Sequence, residues 1–250
     1  MLKLVLTDAI LFKKSVDAVA VLIDEAEFVI KDEGMFLKAT DPSQISMVDF
    51  FLPKSAFKDF KGGSEHRLGV DLDYLSQVLS RAKAGDSLEL EVDDSNSKLF
   101  VLFGGKAKRK FEVPLIDVNS RDLPNPKISF DAELLVKSEA LHDALKDASL
   151  ISTHIVLGVD GEGFFLEARS SKGSMKNEIH SSQKEFMLEF KARENVRSMF
   201  PLDYLSDIIK AAPSDGEISL RLKSNAPAEI AYNVGGASLK YFLAPRIESE

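Results

Sequence analysis

LDYLS at residues 72–76 occurs again at residues 202–206, 130 positions on in a chain of 250. The match extends beyond the pentapeptide. Leu72, Leu75, Val78, Leu79 and Ala82 have apolar counterparts at Leu202, Leu205, Ile208, Ile209 and Ala212. Leu88, Leu90 and Val92 continue the register onto Ile218, Leu220 and Leu222. A five-residue word can repeat by accident. An apolar pattern that keeps its phase through a helix and the strand after it reports a duplicated structural unit.

With that duplication, 250 residues divide into two domains of ordinary size. An apolar content of 44% supplies a sizeable core and argues against disorder. Cysteine is absent, which excludes disulfides, thiolate metal sites and cysteine nucleophiles. The first residues lack the basic-then-apolar pattern of a secretory signal, and no apolar run approaches the roughly 20 residues that span a bilayer. The expectation is a soluble, intracellular protein with no membrane partner. A net charge of −8 and a pI of about 5.2 argue against a protein that simply coats nucleic acid, while leaving room for a locally basic face.

Helix and strand patterns alternate. Phe12, Val16, Val19 and Ile23 share one helical face, with Lys13, Lys14 and Asp17 off it and Thr7 or Asp8 placed to cap. Strands are expected at 25–30, 34–40 and 45–53 and near Leu68. A second helix is expected over 72–82, capped by Asp71. Gly85-Asp86 turns the chain into 87–92, where Leu88, Leu90 and Val92 alternate with Glu89 and Glu91 as in a half-buried antiparallel strand. Segments 98–103 and 107–113 complete the first copy. In the second, Leu141, Leu145 and Ala148 match Phe12, Val16 and Val19, and Gly235-Gly236 matches Gly104-Gly105. The fold class is α+β, each copy being two βαβββ units with two helices on one face of a mostly antiparallel sheet. The copies span residues 1–117 and 127–250, joined by the extended connector VNSRDLPNP at 118–126.

Enzyme chemistry has little support. His66, His142, His154 and His180 are far apart and show no metal-ligand spacing. Gly104-Gly105-Lys106 lacks the rest of a phosphate-binding loop, and no GxSxG elbow occurs. Asp93 and Asp94 fall in DDSNS, a turn composition. No catalytic residue, metal or cofactor is assigned.

KATDPSQISMVDF (38–50), VPLID (113–117), LKDASLIS (145–152) and LKYFLAPRIESE (239–250) resemble segments of the archaeal proliferating cell nuclear antigen family of DNA sliding clamps, in order and at the right spacing. The resemblance implies a ring of three chains around duplex DNA, without sequence preference, in the cytoplasm of an archaeon. Such a ring tethers polymerase, ligase and nuclease through short hydrophobic peptides in replication and repair, and is opened by an ATP-dependent clamp loader. Tethering raises effective concentration without speeding a chemical step.

Three site assignments follow from the resemblance. The partner-peptide pocket maps to Thr40, Asp41, Gln44, Ile45, Leu123, Pro227, Phe242, Leu243, Ala244, Pro245 and Ile247. The competing reading is that Phe242, Leu243 and Ile247 finish the core of the second domain. The DNA-facing bases map to Lys13, Lys14, Arg81, Lys83, Lys106, Lys108, Lys146 and Lys210, on helices whose summed charge is not positive; Lys106, Lys108 and Lys110 are expected along one side of a strand. The subunit interface maps to Lys108, Arg109, Lys110 and Phe111 on one edge and Lys176, Glu178 and Ile179 on the other, with Glu178 facing the bases. Alternatives are a subunit of a heteromeric or checkpoint-type clamp, or a monomeric peptide-binding scaffold without a DNA role.

Overall fold

The structure, a computed structural model, describes residues 2–62, 65–92, 97–118 and 123–246. The first copy runs β1 (Lys3–Leu6), α1 (Ala9–Ala20), β2 (Glu25–Lys31), β3 (Gly34–Thr40), β4 (Ser46–Pro53), β5 (Asp59–Lys61), β6 (His66–Asp71), α2 (Leu72–Leu79), β7 (Ser87–Val92), β8 (Lys98–Gly104) and β9 (Arg109–Pro114). The second repeats it: β10 (Ala132–Lys137), α3 (Ser138–Ser149), β11 (His154–Val159), β12 (Gly163–Ser170), β13 (Gly173–His180), β14 (Met187–Ala192), β15 (Val196–Pro201), α4 (Leu202–Lys210), β16 (Glu217–Leu222), β17 (Ala228–Val234) and β18 (Ala237–Leu243). Each copy therefore holds βαβββ twice, with one extra strand (β5 or β14) between the halves.

The chain separates into two compact units. One comprises Met1–Pro42, Val48–Pro124 and Val234–Leu239, the other Ser43–Met47, Asn125–Asn233 and Lys240–Glu250. Strand order in the first copy is β5-β1-β7-β8-β9 and β4-β3-β2-β6. In the second it is β14-β10-β16-β17-β18 and β13-β12-β11-β15, the same order strand for strand. The duplication is thus one of topology as well as sequence.

The helices follow from their spacing. In α1, Phe12, Val16 and Val19 are buried, and Asp8 is the cap, its carboxylate accepting from Ile10 N at 2.8 Å. Asp71 does the same for α2 through Tyr74 N at 2.8 Å. The second helix is shorter than its periodicity predicts. After Leu79 the chain tightens into i→i+3 bonds, Arg81 N to Val78 O and Ala82 N to Leu79 O, and then turns at Gly85 with φ +83°. Arg81 and Lys83 therefore lie beyond α2. The last strand of the first copy likewise starts at Arg109, not at 107, which leaves Lys106 and Lys108 in the β8–β9 turn and only Lys110 on the strand. The sequence pattern missed β1 and β5, which are too short to establish a period.

The cores are mainly apolar, with a few buried polar side chains such as Ser15, Asp86, Ser138 and Glu229. Tyr232 and Tyr241 stack with ring centroids 5.8 Å apart, and the Tyr232 hydroxyl donates to Ile208 O at 2.9 Å. Burial pushes both hydroxyl pKa values up, so both stay neutral donors.

Candidate functional site

A groove of about 370 Å³ opens on the first unit, a size typical of ligand clefts. Its floor is apolar. Val29 and Phe36 come from neighbouring strands β2 and β3, and Leu123 and Pro124 from the connector cover one side. Alternation decides which side chains face it: Phe28 and Ile30 are buried in the core, while Val29 is half-buried on the opposite face. Phe36 stacks on Phe51 at 4.7 Å. The rim is ionic. Arg67 bonds Glu27 and Glu65, each at 2.8 Å, and Lys38 lies 3.5 Å from Asp49. The hydrogen bond from Arg67 holds the Glu65 carboxyl below its ordinary range. An apolar floor within a charged rim suits an apolar side chain carried on a polar peptide.

Of the sequence-derived pocket residues that are described, only Leu123 lines this groove. Asp41, Phe242 and Leu243 are 3%, 6% and 0% exposed, so their side chains pack largely inside the chain. Such burial is what the core-finishing reading expects of Phe242 and Leu243. Thr40 is exposed at the end of β3. Gln44 is exposed with φ +57°, and the Ile45 carbonyl accepts from Ala244 N at 2.8 Å. That bond brings the 43–45 loop and the segment containing Pro245 together. Pro227 is half-buried ahead of β17. Ile247 lies outside the described residues. The sequence did not single out Phe36, Val29 or Lys38, although the period-two alternation of β2 and β3 puts Val29, Phe36 and Lys38 on the outward face.

The eight bases fall into two groups. Lys13 pairs with Asp17 and Lys146 with Asp143, each within its own helix. Lys14, Arg81, Lys83, Lys106, Lys108 and Lys210 are exposed, and their side chains form no salt bridge among the described residues. The helix of the first copy that carries LDYLS holds no base at all. Acids at helix starts (Asp73, Glu139, Asp203) and bases at helix ends (Lys146, Lys210) suit the helix dipoles.

Strand edges complete the site. An uncovered edge is a template for another strand unless it is blunted. The β6 edge is covered where Ile116 N donates to Gly69 O at 2.9 Å, and the β15 edge is covered in the same way where Arg246 N donates to Met199 O at 2.8 Å. Gly69 and Ile116 precede Met199 and Arg246 by the repeat interval, so the duplication extends to the chain that follows each last strand. Arg246 also reaches His154 Nε2 at 2.5 Å, and burial together with the Arg246 charge lowers the pKa of that imidazole. On β14 the pairing with β10 is interrupted by a register shift at Leu135/Val136. β5 is only three residues long. The long regular edges left open among the described residues are β9 and β13.

Side chains on those edges are already engaged within the chain. Arg109 bonds Asp86, Lys110 sits 3.5 Å over the Phe100 ring, and Phe111 meets Phe103 edge-on at 5.8 Å. Within the chain, Glu178 pairs with Lys176 on its own strand. Ile179 is 5% exposed and belongs to the core. Beside these side chains, the two edges present backbone with no strand alongside among the described residues.

Comparison with known proteins covers the whole chain. The family described as proliferating cell nuclear antigen, N-terminal domain, matches residues 1–123, and the corresponding C-terminal domain family matches residues 125–247. A DNA polymerase sliding clamp of Thermofilum pendens is 37% identical over 99% of this chain and 100% of its own. Among solved structures, PCNA from Thermococcus kodakaraensis superposes with a TM-score of 0.93 at 25% identity, covering 98% of this chain and 100% of that one. A. fulgidus PCNA, solved with the C-terminal region of FEN-1 bound, gives 0.89 at 31% identity over 100% of both chains.

Proposed function

The chain belongs to the proliferating cell nuclear antigen family of DNA polymerase sliding clamps, and from that premise we propose that three copies close head to tail into a ring threaded by duplex DNA. The observation that supports this reading is the pair of open edges. β9 ends one sheet and β13 ends another, in different units, so each copy offers one of each. Pairing β9 of one copy with β13 of the next is heterologous, uses two different patches, and ends only when a ring closes. Such a ring holds its cargo on DNA by topology. It needs no catalytic residue and no sequence-specific contact, in keeping with a family of non-catalytic processivity factors. A closed ring reaches circular DNA only after being opened, which is the work of an ATP-driven loader, and its site of action is the chromosomal DNA inside the cell.

The native mass of the purified chain at micromolar concentration tests the assembly. A species near three times 27.6 kDa supports the homotrimer. A single 27.6 kDa species overturns it and favours a subunit of a heteromeric ring.

Partner enzymes dock, on this reading, through short peptides whose apolar plug enters the groove floored by Phe36 and covered by Leu123 and Pro124. The FEN-1 C-terminal region, bound by the A. fulgidus relative, is a natural probe. Phe36→Ala with Leu123→Ala is expected to weaken its binding at least about tenfold by calorimetry, because truncating central apolar anchors removes most of the contact energy. Unchanged affinity would place the peptide elsewhere. Phe242→Ala is a poor probe of binding, since a side chain 6% exposed reports on folding first.

A further inference from the structure

Arg109 opens β9, yet its guanidinium reaches into its own chain. Nη1 donates to the Arg81 carbonyl at 2.6 Å and Nη2 to the Asp86 carboxylate. Asp86 is 5% exposed. The same carboxylate accepts from Lys83 N at 2.8 Å, and the Asp86 carbonyl accepts from Ala9 N at 2.9 Å. One buried acid therefore ties together the start of α1, the turn after α2 and the first residue of β9. Gly105 makes room for it: a Cβ there would lie 2.0 Å from Asp86 Oδ1. The Phe103 ring supports the other side, 4.9 Å from the Arg109 guanidinium carbon.

The second copy keeps the frame and lacks the clasp. Ser138 N donates to Gly216 O at 3.0 Å, the counterpart of the bond from Ala9 to Asp86. At the repeat interval from Asp86 and Arg109, however, stand Gly216 and the buried Leu239. The two last strands differ in a way that matches. β18 has a hydrogen-bonded neighbour on each side, whereas β9 has only β8. A strand with one neighbour frays from its end unless other contacts hold it. The clasp occurs in the copy whose last strand is open, at the residue where that strand begins.

We propose that the Asp86–Arg109 clasp is a preorganising device for self-assembly. It holds the start of β9 in strand form within each free chain, so that β13 of a second copy meets a finished edge. This rests on the head-to-tail reading above. Both residues are positioning residues: the ordering cost of β9 is met during folding and is not charged to association.

Two variants test it by different routes. Asp86→Asn removes the charge, and Gly105→Ala displaces the carboxylate while removing none. Each is expected to raise the dissociation constant for assembly about tenfold or more in sedimentation equilibrium. Amide exchange at β9 in dilute, dissociated protein should quicken, with the rest of the chain protected as in the wild type. If Asp86→Asn unfolds the whole unit, Gly105→Ala carries the test. Assembly as tight as wild type in the folded variants overturns the clasp and leaves the ring intact. Weaker assembly with β9 exchange unchanged also overturns it, because the residues would then act by contact across the interface. A monomeric wild type overturns the ring reading and the clasp with it.

Discussion

Replacing Gly235 with alanine will destabilise the protein by about 3 kcal/mol or more, measured by denaturant unfolding. Gly235 and Gly236 have φ +60° and +88°, the pair of positive values that a tight hairpin turn requires. A side chain in that region costs about 1 kcal/mol by itself. Space adds more. A Cβ on Gly235 would stand 1.9 Å from the Leu11 carbonyl oxygen and 2.4 Å from Ser15 Oγ. Neither the α1 backbone nor a fully buried serine can move aside cheaply. Ser15 Oγ donates to Val234 O at 2.9 Å and lies 3.1 Å from Leu11 O, so displacing it leaves a buried carbonyl unpaired, at about 1–3 kcal/mol. Gly161→Ala is the control. A Cβ there meets nothing within 4 Å, and its unfolding curve should overlie that of the wild type. A Gly235→Ala protein as stable as the control would mean the hairpin tip does not rest on α1.

The second large effect is electrostatic. Lys14→Glu, Arg81→Glu and Lys210→Glu together should reduce polymerase stimulation on primed circular DNA at least about tenfold at low salt. These three are exposed and free of salt bridges among the described residues, unlike Lys13 and Lys146, which Asp17 and Asp143 already neutralise. The background makes the change severe. The helices carry more acids than bases, so the attraction for phosphate rests on few residues, and each reversal both removes one and adds a repulsion. Raising salt should shorten the residence of the wild type on linear DNA, which a ring leaves by sliding off an end, and change that of the variant little, since few counterions remain to be released. Undiminished stimulation would remove these residues from the path of the DNA. Native mass must stay that of the wild type, which separates loss of phosphate contact from loss of assembly.

By itself the sequence determined the duplication, the fold class and the family. LDYLS and its flanking apolar phase mark the repeat, and the helical face of Phe12, Val16 and Val19 needs only local spacing to be read. The strand 87–92 is bounded as its alternation predicts, because Gly85 and the change of period stand in the chain itself. Tertiary structure alone decided which residues of that frame are available. Leu123 faces a groove, while Phe242 and Leu243 are spent on the core. Arg81 and Lys83 leave the helix one turn early, and Arg109 is drawn inward by a carboxylate 23 residues before it. The same holds for the edges: one backbone bond covers β6 and another covers β15, each from chain more than 40 residues away, and so leaves β9 and β13 open. Periodicity records which face of an element is apolar. What lies against that face, and which buried charge finds a partner, depends on residues distant in sequence, and no local pattern carries that information.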